Sequence, residues 1–188
     1  WLEKNAEQFD VVIVPDFGNG FISTNMAKKL CDKARFLAIN TQVNSGNRGY
    51  HSINRYPRAD FVSLNGPEIR MATHNRHDSY EYLAKSLIKK IGVKHFAVTL
   101  GSDGALLLDQ SPEITHKTPI LSTKVLDRIG AGDTFLSLAG LCLGGGLPSD
   151  IALFVGSAAA ALDVQVVCNR EPVTSINLYK YINTLLKS

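Results

Sequence analysis

Short apolar runs alternate with amphipathic stretches along the first hundred residues, and this alternation limits the folds open to the chain. The runs at 11–15, 36–40, 61–64 and 95–100 are rich in apolar or β-branched residues and bounded by Gly, Asp or Asn. Their length and content predict buried strands. Residues 24–35 place Met26, Ala27, Leu30, Cys31 and Ala34 at helical spacing. Residues 80–91 do the same with Leu83, Leu87, Ile88 and Ile91, and Gly92 stops them. Strand–helix–strand order predicts an α/β fold: a mostly parallel sheet with helices on both faces.

The second half reads differently. Runs at 105–109 and 120–126 look like two more strands, separated by the polar, Pro-containing segment 110–119. They predict a small antiparallel addition at the sheet edge. Helical patterns follow at 133–143, 149–162 and 175–187. Gly144–Gly146 ends the first, and Pro148 and Asp150 suit the start of the second. Residues 41–57, rich in Asn, Gly, Ser and Arg, are expected to be the least structured. No internal repeat or low-complexity tract is present, and 188 residues suit a single domain over 1–188.

Composition removes whole classes of function. With 45% hydrophobic residues and a net charge of +3, the chain is not disordered. A pI near 8.8 permits an anionic ligand without calling for nucleic acid. The longest apolar candidate, 151–167, is broken by Asp163, so no membrane span is expected. Cys31, Cys142 and Cys168 are odd in number and far apart. They argue against a disulfide framework or zinc ribbon and point to a reducing compartment, the cytoplasm. The chain opens on Trp1 with no signal-peptide pattern, which reads as a cut from a longer protein.

The most informative stretch is Asp127-Arg128-Ile129-Gly130-Ala131-Gly132-Asp133-Thr134-Phe135. Gly-Ala-Gly directly before an apolar helical pattern offers free backbone N–H groups at a helix start, an anion site suited to phosphate. Asp133 could cap that helix, or sit beside a bound phosphate and accept a proton from an attacking hydroxyl. Asn65 and Glu68, three apart after a strand, could order Mg²⁺ through its waters or cap a helix with Pro67 in its first turn. Gly101 and Gly104 could admit a nucleotide closely or form an ordinary turn between strands. Asp16, after the first strand, could face the reacting centre or serve the turn before Gly18. No Walker-type phosphate loop occurs.

Gly130-Ala131-Gly132-Asp133-Thr134-Phe135 resembles the C-terminal motif of the PfkB, or ribokinase-like, carbohydrate kinases. Asn65-Gly66-Pro67-Glu68 is similar to that family's Asn-x-x-Glu, and Thr99-Leu100-Gly101-Ser102-Asp103-Gly104 to its Thr-x-Gly-x-x-Gly nucleotide loop. Val14-Pro15-Asp16-Phe17-Gly18-Asn19-Gly20 looks like an Asp-Tyr-x-Lys-Gly segment of the heptose-phosphate kinase branch, with Phe17 for Tyr and Asn19 for Lys. The resemblance runs from about Asp10 to the end and covers the nucleotide-binding share of such a kinase. It implies ATP and Mg²⁺ as cofactors and phosphoryl transfer to a sugar or sugar-phosphate hydroxyl. Asp133 would be the base and Gly130, Ala131 and Gly132 the anion hole. Thr99, Gly101, Ser102, Gly104, Asn65 and Arg128 would hold the nucleotide, Glu68 and Asn65 the metal, and Asp16 the substrate.

The family's N-terminal part supplies most sugar contacts, so the isolated chain is expected to bind ATP weakly and transfer nothing. Its exposed sheet edge could pair two copies. Two other readings stay open. One is a non-catalytic nucleotide-binding module of a larger protein fused to a nucleotidyltransferase. The other is a dinucleotide-binding domain, from Gly18-x-Gly20-x-x-Ser23 after a strand. Three further features have plain explanations. His74 and His77 read as surface residues. Arg48, Tyr50, His51, Arg55, Tyr56 and Arg58 read as a solvated loop. Gly156–Leu162 and Cys168-Asn169 replace the stretch that flanks adenine in the family, and the small residues Ala158–Ala161 read as a close helix–helix contact.

Overall fold

The computed structural model of the chain describes residues 1–44, 46–47, 50–111, 113–167 and 170–187. Arg48, Cys168 and Asn169 of the motifs above lie outside the described residues. Among the described residues six strands form one sheet in sequential order: β1 (Val12–Asp16), β2 (Leu37–Thr41), β3 (Phe61–Asn65), β4 (His95–Thr99), β5 (Ala105–Asp109) and β6 (Thr115–Thr118). β1 to β4 are parallel, and β5 and β6 add antiparallel. Helices α1 (Leu2–Asn5), α2 (Thr24–Lys33), α3 (Gly66–Thr73), α4 (Tyr80–Ile91), α5 (Ala131–Gly144), α6 (Ser149–Asp163) and α7 (Ser175–Leu185) complete the chain.

The strand order explains the layering. Parallel crossovers are almost always right-handed, so a sheet whose strands advance one place at a time receives all its crossovers on one face. α2, α3 and α4 pack there, together with Ile53 and Tyr56 of the β2–β3 connection. The opposite face is left for whatever follows β6, and α5 and α6 cover it. The alternation is strict. Leu37, Ile39, Val62, Leu64, Phe96 and Val98 join the first core, whereas Ala38, Phe61 and Ala97 join the second.

The second face is built for close approach. Cβ atoms added at Gly140 and Gly156 would lie 3.1 Å from the Ala38 Cβ and 2.9 Å from the Ala139 Cβ. α5 therefore lies low on β2, and α6 lies low on α5. Among the described residues no helix is long and apolar enough to cross a membrane.

Two expectations need correction. Residues 120–126 are not a strand; the antiparallel edge strand is β6, Thr115–Thr118. Its Thr-His-Lys-Thr sequence is polar because it sits at the sheet edge, while Ile120 and Leu121 help line a cleft. The basic and aromatic residues around His51 are not all solvated: Tyr50 is exposed, but the others described are buried or paired. His51 is 7% and Tyr56 1% exposed, and Arg55 and Arg58 pair with Asp16 and Asp60.

Candidate active site

The carboxyl ends of the parallel strands share one sheet edge, because the register sets Asp16 beside Thr41 and Asn65 beside Thr99. Above that edge lies a cleft of about 1180 Å³. It is the place where open α/β sheets bind ligands. The cleft brings together three segments distant in sequence: Asn65 to Glu68, Thr99 to Gly104, and Arg128 to Asp133. Every site residue expected from the sequence lines it except Asp16.

One wall is the start of α5. Gly130 takes φ 91°, a left-handed value that a side chain would resist, and turns the chain into the helix. α2, α3, α4 and α7 begin under a side-chain cap, but among the described residues α5 has none. The first-turn amides, those of Ala131 and Gly132 among them, have no carbonyl within the helix to bond. They are donors at the positive end of the helix dipole, facing the cleft. Behind them, Asp127 Oδ1 accepts from the Ile129 amide at 3.0 Å, and the Leu126 and Asp127 amides donate to the Val164 carbonyl. This anchors the turn to the end of α6. Arg128 is exposed on the cleft side.

Asp133 is half-buried in the first turn of α5. Its Oδ1 accepts two side-chain amides from the far side of the cleft: Gln42 Nε2 at 2.7 Å and Asn40 Nδ2 at 3.1 Å. Among the described residues no hydrogen bond reaches Oδ2. The helix-cap alternative for Asp133 is not what forms, since its carboxylate bonds across to the β2 end.

Asn65 and Glu68 form a reciprocal cap on α3. Glu68 N donates to Asn65 Oδ1 at 2.9 Å, and Asn65 N donates to Glu68 Oε2 at 2.8 Å. Glu68 Oε1 accepts from the Val43 amide at 3.4 Å. Glu68 is 8% exposed, and burial pushes its carboxyl above the usual range while these amide bonds oppose the rise. The charge of Asp133 also favours the protonated form. Both carboxylate oxygens thus spend one lone pair on backbone and keep one each. That donor set fits a Mg²⁺ held through its waters.

Thr99 ends β4, and residues 101–103 turn into the β5 hairpin. So the Gly101–Gly104 segment is both a turn between strands and a cleft wall. A Cβ at Gly101 would meet nothing within 4 Å, whereas one at Gly104 would fall on the Thr118 carbonyl oxygen.

Asp16 has a different place. It is 2% exposed and bonded to Arg55 Nη1 at 2.9 Å, Tyr56 Oη at 2.7 Å and the Gly18 amide at 3.2 Å. Burial first, then its bond to Asp16, pushes the Tyr56 hydroxyl well above its ordinary range. Asp16 thus lies outside the cleft lining, in a buried network that fastens the β1–α2 loop to the β2–β3 connection. The same packing counts against the dinucleotide alternative. A Cβ on Gly18 would lie 2.7 Å from the His51 ring, so this glycine admits the chain's own loop.

Sequence reasoning missed Asn40 and Gln42. The only signal was parity: two amides two apart at a strand end share the face that α5 covers.

Comparisons with known proteins bear on the family and the fold. The chain is 25% identical over 181 residues to the bifunctional protein HldE of Syntrophotalea carbinolica, which covers 95% of the chain and 35% of that relative. The HldE of Magnetococcus marinus is 32% identical over 157 residues, 82% of the chain and 31% of the relative. The chain thus spans about a third of the length of these relatives. The ribokinase of Thermotoga maritima superposes with TM-score 0.79 at 18% identity, over 96% of the chain and 59% of that structure. An Arabidopsis thaliana ribokinase complexed with ribose and ATP gives 0.74 at 24% identity, over 96% and 58%. These likenesses show a ribokinase-like fold. Residues 2–175, nearly the whole length and every cleft segment, match the pfkB family carbohydrate kinases, and the chain belongs to that family.

Proposed function

We propose that the chain carries the nucleotide site and the base of an enzyme that transfers a phosphoryl group from ATP to a hydroxyl of a sugar or sugar phosphate. The observation that carries this reading is the meeting of Asp133 with the uncapped start of α5 in one cleft. The amides there face phosphate oxygens, where charge gathers during transfer. Asp133 accepts the proton of the attacking hydroxyl. A carboxylate is a weak base, but phosphoryl transfer passes through a loose transition state in which the proton leaves late, so position counts for most.

The loop from Thr99 to Gly104, with Ser102 and Arg128, borders the nucleotide. Asn65 and Glu68 would hold Mg²⁺ through water, and the chemistry such an ion supplies is neutralisation of phosphate charge. The reading places the protein in the cytoplasm, where ATP is present and where Cys31 and Cys142 stay free thiols. A second reading, a nucleotide-binding module within a larger protein, draws on the one-third coverage of the bifunctional relatives. Sugar-dependent ADP release by the full-length protein separates the two: turnover supports the kinase, and ATP binding without turnover supports the module.

A further inference from the structure

Two neutral amides converge on a single oxygen of Asp133, and each is held from behind. Gln42 donates its backbone amide to the Asp16 carbonyl at 2.9 Å, and its own carbonyl accepts Asn47 Nδ2 at 3.1 Å. The buried Asp16 network thereby fixes the residue whose side chain reaches Asp133. Asn40 is locked in β2, opposite Pro15, and is 5% exposed.

The orientation of Asn40 has a cost. With its Nδ2 turned to Asp133, its Oδ1 is buried with no partner among the described residues. A buried unsatisfied acceptor lowers stability. Turning the amide over would set two oxygens against each other, so the arrangement is held by Asp133. Neutral donors are also the right chemistry for this task. They fix a carboxylate without supplying the full positive charge that would weaken it as a proton acceptor.

We propose that Asn40 and Gln42 are positioning residues for the proton-accepting carboxylate. They clamp Oδ1, set the carboxyl plane, and leave Oδ2 as the oxygen that takes the hydroxyl proton. This inference rests on Asp133 being the base.

The test uses the full-length protein with Gln42→Met, which keeps length and removes the donor, and with Asn40→Leu. Gln42 is half-buried, so its variant carries the test if the Asn40 variant does not fold. Gln42→Met is expected to lower kcat about tenfold, equal to about 1.4 kcal/mol of barrier, with KM for ATP within about twofold. In an Asp133→Asn background the same substitution is expected to cost nothing further, because the group it positions is gone. Mere damage to the fold would cost the same factor in both backgrounds, and that result would overturn the proposal. So would an unchanged kcat in both single variants.

An independent reading comes from the side-chain NH₂ signals of Asn40 and Gln42 by NMR, which are expected to move when Asp133 becomes Asn. Signals that stay put would show that the bonds do not exist in solution. Full activity of Asp133→Asn itself would refute the base assignment, and this inference with it. An inactive Asp133→Asn beside a fully active Gln42→Met would refute this inference alone.

Discussion

Gly101 and Gly104 offer a matched pair of substitutions three residues apart. Both have positive φ, 61° and 82°. They differ in what a side chain would meet. At Gly101 a Cβ enters open space. Its replacement by Ala costs only the left-handed backbone, about 1–2 kcal/mol. At Gly104 the backbone lies at φ 82° and ψ −137°, a region that residues with a Cβ avoid. The added carbon would also fall on the Thr118 carbonyl oxygen and lie 2.8 Å from the carbonyl carbon of Pro119. Those are main-chain atoms at the end of β6, which can yield only if the β5–β6 ladder shifts. Strain and displacement together come to about 4 kcal/mol. For a chain of this size each kcal/mol moves Tm by about 2–4 °C. Gly101→Ala is thus expected to lower Tm by about 4 °C and Gly104→Ala by about 12 °C, with urea denaturation giving the free energies directly. Equal losses at the two positions would refute the claim that close packing, rather than φ alone, requires Gly104.

Two further outcomes follow from the site. Asp163 is 5% exposed and beside the start of α5, and burial raises its carboxyl above the ordinary value of 3.8, with the charges of Asp133 and Asp127 adding to the rise and the Thr134 hydroxyl opposing it. The folded state therefore binds this proton more tightly than the unfolded state. The associated stability is fully present below 3.8 and is lost as pH rises through the folded value, so Asp163→Asn gains on the parent as pH rises in urea titrations, and a pH-independent gap would contradict this. Mg²⁺ with ATP or ADP is expected to raise Tm, by about 2.7 kcal/mol of stability at a hundredfold excess over Kd, while NAD and NADP leave it unchanged; the reverse pattern would restore the dinucleotide reading of Gly18 and Gly20.

What could be read in the sequence was local. Asn65 and Glu68 cap α3 three residues apart, and Gly130 to Asp133 begin α5 within one turn, so both carry their geometry in their own spacing. The strands of the parallel sheet were legible because they are buried on both faces and read as apolar runs. The Asp133 contacts were not, since they join residues 91 and 93 apart and depend on α5 crossing β2. Residues 41–57 misled for a related reason. Asn47, His51 and Tyr56 are buried and Arg55 is paired with Asp16, and composition alone cannot distinguish a paired Arg55 from a solvated one. The apolar stretch 120–126 misled in the opposite sense, because part of its apolar surface lines the cleft.

If Asp133 accepts the proton, as proposed, while backbone amides hold the phosphates, its removal separates turnover from binding. Sugar-dependent ADP release and ATP affinity are compared in the full-length protein and in its Asp133→Asn variant, over hexoses, pentoses and heptose phosphates. The variant is expected to lose turnover and keep its affinity for ATP within about twofold. Retention of more than about a tenth of the rate, a loss below about 1.4 kcal/mol of barrier, would contradict it.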